Sequence, residues 1–343
     1  MFLLGERDVR KALNLHDCLE INKKALISIC QDTGVVPSRL GLPYPNNPKK
    51  TKTQSDNDAE DWTLIKPAAY YGSDNPGDIS MGMKVVSVRS KNPSNDLPLV
   101  PATILLVDPA SGMVRATVAG TYVTVARTSA GPALAVQIFR PDTQHLVIFG
   151  AGQQAESHIC LIELALGRRI PRISIVNRSA DRANALKDKF QRNEGMEVIL
   201  LNDSDAINSV LSQADVIAAT TNTKTPLWKD ECVVKKGCLI TGIGSYTPEM
   251  QEIPEYIVSS SHIIIDTPEA MAVGDLKHLG HYPSSTHPIT LAGNAFVDPS
   301  AIGGTTEYIF YKAVGTAIQD VLTAEAVIES AKKLGIGQEV DMS

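Results

Sequence analysis

Apolar positions along this chain fall into two patterns. Between residues 145 and 266, short and almost wholly apolar runs alternate with stretches of helical periodicity. The runs predict strands at 145–150, 172–177, 197–201, 215–219, 238–243 and 262–266, with helices near 153–167, 179–193 and 204–213. Continuous apolar strands that alternate with amphipathic helices read as parallel strands covered on both faces. Right-handed crossovers then build a doubly wound sheet.

The first third reads differently. "VRKALNLHDCLEINKKALISICQDTG" predicts one helix with Leu13, Cys18, Ile21, Ala25 and Ile29 on a single face and Gly34 as its stop. "GLPYPNNPKKTKTQSDNDAEDW" has no periodicity and is rich in Pro, Asn, Lys and Asp, which predicts a mobile surface insertion near residue 50. "MGMKVVSV", "ATILLVDP" and "RATVAGTYVTVA" predict three meandering strands, with "PASG" at 109–112 as a hairpin turn. A helix is expected over "RTSAGPALAVQIF", and a long amphipathic helical segment over 305–335.

Length and composition narrow the classes. A chain of 343 residues suits two domains, and 43% hydrophobic with 20% charged residues is a globular composition. A net charge of −6 argues against nucleic acid or an anionic membrane as partner. The N-terminal apolar run is too short for a signal peptide, and no window has the length of a membrane span. Five scattered cysteines, Cys18, Cys30, Cys160, Cys232 and Cys238, form no C-x-x-C pair. They read as free buried thiols in a reducing compartment, so a cytoplasmic location is expected.

Chemistry begins at "HLVIFGAGQQAESH". Gly150, Gly152 and Ala155 form G-x-G-x-x-A between an apolar strand and a helix, the context a dinucleotide turn requires. Gly150 permits the turn, Gly152 lets a pyrophosphate approach the backbone, and the helix start at Gln153 and Gln154 offers free N–H groups. The plain alternative is a packing turn. The second strand ends in Asn177-Arg178, where an NAD site would place an acid for the ribose hydroxyls. Asparagine removes that charge, and a guanidinium can grip a 2′-phosphate. Ser179 and Arg182 could add a donor and a second cation. NADPH is therefore favoured over NADH.

"GAGQQAESH" (150–158), "ARTSAGPALA" (126–135), "ATILLVDPASG" (102–112), "ATTNTKTPLW" (219–228) and "YKAVGTAIQD" (311–320) together resemble the ornithine cyclodeaminase/μ-crystallin family. The resemblance implies an α/β protein with two domains. One is a Rossmann domain over 127–317; the other is an α+β domain, 1–126 with 318–343, that binds substrate and makes a homodimer. The family includes cyclodeaminases, alanine dehydrogenases, ketimine reductases and a hormone-binding lens protein. Its substrate lies in a cleft facing the nicotinamide.

Several single residues gain a role only through that resemblance. Arg39 matches the arginine that binds substrate carboxylate, although alone it reads as a surface residue. Lys84 matches the site lysine, although a lysine in a strand run is also ordinary edge protection. Arg127 is expected to open a helix, with Thr128 and Ser129 behind it, near substrate and cofactor. Thr220, Thr221 and Asn222 resemble the cofactor loop, and Val314 and Gly315 the segment near the nicotinamide. His158 reads as a packed core histidine. The loop with His278, His281 and His287 lacks partners at metal-ligand spacing.

One position departs from the cyclodeaminases. Where they carry a proton-handling aspartate, "GIGSYTPEMQEIP" has Tyr246, a poor base at neutral pH whose hydroxyl could still donate. The expectation is NADPH-dependent reduction of an α-imino acid, such as pyrroline-2-carboxylate or piperideine-2-carboxylate. Arg39, Lys84 and Arg127 would hold its carboxylate, and Lys84 is the first candidate proton donor. The alternatives are a cyclodeaminase or an alanine-dehydrogenase-like enzyme, and a non-catalytic NADPH-binding protein.

Overall fold

The structure, a computed structural model, describes residues 1–44, 61–72, 78–191, 194–281, 287–302, 304 and 306–341. In chain order its first elements are β1 (Phe2–Leu4), α1 (Glu6–Ala12), α2 (Leu15–Cys30), β2 (Gly34–Val35), β3 (Leu40–Tyr44), β4 (Asp61–Tyr71), β5 (Ile79–Val88), β6 (Ala102–Val107), β7 (Val114–Ala119) and α3 (Thr121–Phe139). There follow β8 (His145–Phe149), α4 (Gln153–Leu166), β9 (Arg172–Asn177), α5 (Ala180–Lys189), β10 (Met196–Leu200), α6 (Ser204–Leu211), β11 (Val216–Ala219) and β12 (Leu239–Gly242). The last are α7 (Glu255–Ser259), β13 (Ser261–Ile265), β14 (Ile289–Leu291), α8 (Ala292–Val297), β15 (Tyr308–Lys312), α9 (Ala317–Lys333) and β16 (Gln338–Glu339).

Two compact units result, Met1–Arg127 with Thr316–Ser343, and Thr128–Gly315. In the first, a sheet runs in the order β16-β1-β7-β6-β5-β4-β2, with β3 paired to β4. It is antiparallel except where β1 runs parallel to β7. Helix α9 packs against β4, β5 and β6 and buries Val321, Ala324 and Ile328. The β6–β7 turn is the expected hairpin, closed by Asp108, which accepts hydrogen bonds from the N–H and hydroxyl of Ser111 at 2.7 Å each.

Four local readings are corrected. The single N-terminal helix is two, because the Asn14 side chain accepts from the His16 N–H and starts a new helix. Its buried face is Cys18, Leu19, Asn22, Ala25, Leu26 and Ser28, and the helix ends at Cys30, before Gly34. The ends of the supposed insertion are strand: 41–44 lie in β3 and 61–62 in β4, paired from Leu40↔Ile65 to Tyr44↔Asp61. The rest of that reading, 45–60, lies outside the described residues. Finally, "TYVTVA" is helix rather than strand, so α3 starts at Thr121 and Arg127 sits at the end of its second turn instead of opening it.

The second unit is an all-parallel sheet of order β10-β9-β8-β11-β12-β15-β13-β14. Its first five strands reproduce the doubly wound 3-2-1-4-5 arrangement, with the switch between β8 and β11. The fold is α/β, with a Rossmann-type sheet and a second, mixed unit. Strand β15 corrects the reading of 305–335 as one helical segment: Tyr308–Lys312 is buried on both faces between β12 and β13, and helix resumes only at Ala317. Of the cysteines, Cys18 and Cys238 are buried, Cys30 and Cys232 are half-buried, and Cys160 is exposed, contrary to a uniformly buried set. Among the described residues, no helix is long and apolar enough to cross a membrane.

Candidate functional site

In the first unit, β5 is a central strand and Lys84 projects from it fully buried. That placement removes the edge-strand explanation for a lysine. Its Nζ donates to Asp320 Oδ1 at 2.7 Å and to Thr124 Oγ1 at 3.3 Å. Arg127, also buried, donates from Nε to the same Oδ1 at 2.8 Å. Two sequence-predicted cations thus meet on one oxygen of a carboxylate in the first turn of α9. Burial, and next the charge of Arg127, hold the Lys84 ammonium well below the usual lysine range. Burial alone would raise the Asp320 carboxyl, but Arg127 and Lys84 outweigh it and keep it low. Neither Asp320 nor Lys66 was among the residues expected at the site. Lys66 is buried on β4 directly across from Lys84 (Lys66↔Lys84). The Pro67 beside it hides β4 from a search for strand-like runs. Arg39 is half-buried just before β3, whose Leu40 pairs with Ile65, so the register carries it toward Lys66.

In the second unit, the glycine turn has the backbone its spacing demands. Gly150 has φ +109°, and a Cβ there would stand 2.7 Å from Thr220 Oγ1. Gly152 precedes α4, which starts without a side-chain cap, and a Cβ at Gly152 would meet open space. Uncapped N–H groups facing open space fit a pyrophosphate. Gln153 is exposed; Gln154 Oε1 accepts from Ser129 Oγ at 3.3 Å. Thr128 is half-buried mid-helix, so the expectation that it stands at a helix start is corrected along with that for Arg127. At the end of β9, Arg178 and Arg182 are exposed. Asn177 Nδ2 donates to the Ser179 carbonyl at 2.9 Å, and Ser179 Oγ accepts from the Arg182 N–H at 3.3 Å as the cap of α5. Ser179 therefore has a structural task, and Arg178 beside it is exposed.

The loops at the carboxyl ends of β11, β12 and β15 are tied down by buried carboxylates. Thr220 N–H and Oγ1 donate to the Phe149 carbonyl at 3.0 and 2.7 Å, joining β11 to the end of β8. Glu252 Oε1 accepts from Thr221 N–H and Oγ1, each at 2.8 Å, and Oε2 from Gly244 N–H at 2.7 Å and Ser245 N–H at 3.2 Å. Only glycine fits at 244, where a Cβ would lie 1.4 Å from the Thr221 carbonyl oxygen. Behind Glu252, Asp275 accepts from the Glu252 and Ile253 N–H groups and from Lys312, itself fully buried at the end of β15. Burial, then the nearby charge of Asp275, pushes the Glu252 carboxyl up to about 7. Asp266 accepts from Val314 N–H at 3.1 Å and Gly315 N–H at 2.6 Å. These backbone groups, expected near a nicotinamide, are thereby anchored to β13. None of the three carboxylates stood out in sequence: Asp266 directly follows β13, Glu252 lies in the loop after β12, Asp275 lies in a short 3-10 turn at 274–281, and none belongs to a motif.

The match to a family model settles kinship. Residues 46–335 match the model described as "Ornithine cyclodeaminase/mu-crystallin family". The chain belongs to this family. It is 28% identical, over the whole of both chains, to an uncharacterized cyclodeaminase of Dictyostelium discoideum. It is 25% identical to a Δ1-pyrroline-2-carboxylate reductase of Bacillus cereus, covering 99% of this chain and all of the other. The structure of Thermococcus litoralis Δ1-pyrroline-2-carboxylate reductase, in complex with NADH and L-proline, superposes with a TM-score of 0.83 at 22% identity, covering 99% of this chain and all of that one.

Within this family chain, Tyr246 is a weak candidate base. Burial, and then the charge of Glu252, pushes its hydroxyl up to about 12, so it stays protonated at neutral pH. Among the described residues, no group of three His, Cys, Asp or Glu side chains could hold a metal ion. His158 is a buried structural residue, as its sequence context suggested. Its Nδ1 lies 2.7 Å from the Gln154 carbonyl and 3.1 Å from Ser129 Oγ.

His158 Nε2 finds no hydrogen-bond acceptor among the described residues, so a charged ring would bury an unmet N–H. Burial accordingly lowers this histidine to about 4. Unfolded, it titrates near 6.5; folded, it stays neutral to about 4. Stability is therefore fully present above pH 6.5 and is lost as pH falls toward 4, by up to about 3 kcal/mol from this residue. Urea midpoints measured across that range should show a flatter acid slope in His158→Asn. An unchanged slope would remove His158 as the source.

Proposed function

We propose that this chain reduces the C=N bond of an α-imino acid, with NADPH as the preferred reductant and a cyclic ketimine such as pyrroline-2-carboxylate or piperideine-2-carboxylate as substrate. It is an oxidoreductase of the nicotinamide-dependent kind. The observation that carries the reading is the buried pair Lys84 and Arg127, converging on one carboxylate oxygen. Two cations so placed can take up a substrate carboxylate with their remaining donors, as Arg127 bonds Asp320 through Nε and keeps its two terminal nitrogens for a planar fork. Arg39 is the third cation we assign to that carboxylate.

A bound reduced nicotinamide supplies the hydride. The residues fit to hold it are Gly150, Gly152 and the start of α4 for the pyrophosphate, Arg178 for a 2′-phosphate, and the loops carrying Thr220–Thr221 and Val314–Gly315. Arg182, one turn along α5, adds positive charge. As the imine carbon gains hydride its nitrogen must gain a proton. Lys84, whose ammonium is destabilised by burial, is the donor we favour. Tyr246 is the second donor to test, since its hydroxyl keeps its proton. An amine-handling carboxylate does not stand at 246, which supports reduction of a preformed imine over cyclodeamination.

The test is loss of NADPH absorbance with each cyclic imine, NADH in parallel, and with a keto acid plus ammonia. Turnover of imines alone is expected. Dependence on ammonia would replace this reading with a reductive aminase. We further propose a homodimer acting in the cytoplasm; light scattering of the purified protein checks the first point.

A further inference from the structure

We propose that Asp320 is the positioning residue of the carboxylate site: its one oxygen, Oδ1, seats the Lys84 ammonium and the Arg127 guanidinium side by side. It would touch neither substrate nor cofactor, and would act only through the two cations. This rests on the reading of Lys84 and Arg127 given above, and it adds a residue that neither motif nor composition singled out.

Geometry carries the inference. Asp320 is fully buried, and Oδ1 accepts from Lys84 Nζ at 2.7 Å and Arg127 Nε at 2.8 Å. Two cations sharing one acceptor are held close together, and without the carboxylate they would repel in a medium of low dielectric constant. The start of α9, which carries the carboxylate, is tied down through the residue next to it. Gln319, its neighbour in α9, donates from Nε2 to the Asn22 side chain at 3.0 Å and to the Arg127 carbonyl at 3.4 Å. The Gln319 side chain also closes the α9 cap by accepting from the Thr316 N–H at 3.1 Å. Asp320 is therefore bonded to the Arg127 side chain while its neighbour is bonded to the Arg127 backbone. That double tie sets where the guanidinium fork points.

The charged and titratable groups around Lys84 come from β4 and from the helices packed on it, while β6 places the apolar Ile104 opposite it. They are Lys66 from β4, Arg127 from α3, Asp320 from α9 and, beside Arg127, Cys18 from α2. Of these Asp320 favours the ammonium, whereas Arg127, Lys66 and burial oppose it. Cys18, pushed up to about 12 mainly by burial, stays a neutral thiol.

The experiment reads Lys84 directly, without turnover. In the full-length protein labelled at lysine Cε, the Lys84 NMR signal is assigned by its loss in Lys84→Met, and its titration midpoint is followed. Asp320→Asn should lower that midpoint by about one unit or more. Asp320→Glu, which keeps the charge, should leave it within about half a unit of the parent. A midpoint unmoved in Asp320→Asn overturns the proposal. Should Asp320→Asn fail to fold, Arg127→Met serves instead: it leaves Asp320 to Lys84 alone, and the midpoint should rise by about one unit. Absence of that rise would equally overturn it. Absence of imine turnover in the parent, with the midpoint responding as stated, would remove the imino-acid reading and leave the role of Asp320 standing.

Discussion

In Lys84→Met, turnover of a cyclic imino acid falls by about 10² to 10⁴-fold while the protein stays folded. Methionine fills most of the volume of the lysine stem, so the wall between β4 and β6 stays packed. Asp320 keeps Arg127 on the same oxygen, so the remaining carboxylate is not left unpaired. What disappears, on the proposed function, is one cation for the substrate carboxylate and the favoured proton source. Affinity for NADPH should hardly change, because the glycine turn and Arg178 belong to the other compact unit. Steady-state kinetics with fluorescence titration of NADPH separates the two effects. Full turnover in Lys84→Met would remove the lysine as donor and move the assignment to Tyr246.

Arg178→Asp should reverse the NADPH preference proposed above. A guanidinium on a 2′-phosphate makes charge-assisted hydrogen bonds of about 1.5–3 kcal/mol each, so kcat/KM with NADPH should drop by about 10- to 100-fold or more. An aspartate at that position repels the phosphate and accepts hydrogen bonds from the ribose hydroxyls of NADH. The NADH value should therefore hold or rise. Asn177 and Ser179 are engaged with one another and with the Arg182 N–H, so the substitution leaves the α5 cap intact. The Thermococcus relative was captured with NADH, so a preference for NADPH in this chain would set the two proteins apart. If the parent already prefers NADH and Arg178→Asp changes nothing, the phosphate reading fails while the reduction reading survives.

Much of the second unit is legible in the chain of residues alone. Runs such as "HLVIF" and "RISIVN" are apolar on both faces, and only a strand covered on both sides suits such a run. The strand at 308–312 escaped because "YIFYK" leads straight into the helix-like "AVGTAIQD" and ends in a lysine. Its place in the middle of the sheet becomes visible only when Lys312 is seen to reach Ser245 and Asp275. Similarly, β4 contains Pro67 and is joined to β3 across residues 45–60, so local pattern does not announce it.

By itself the sequence determined the alternation of strand and helix, the glycine turn and the family motifs, because these depend on residues close together in the chain. Tertiary structure alone decided that Lys84 and Asp320, 236 positions apart, share a hydrogen bond. It also decided that Glu252 closes two loops at once. A lone acid in a helix or loop looks the same whether solvated or buried. Its meaning comes from the cations and N–H groups that folding brings to it, since a buried carboxylate persists only where such partners converge.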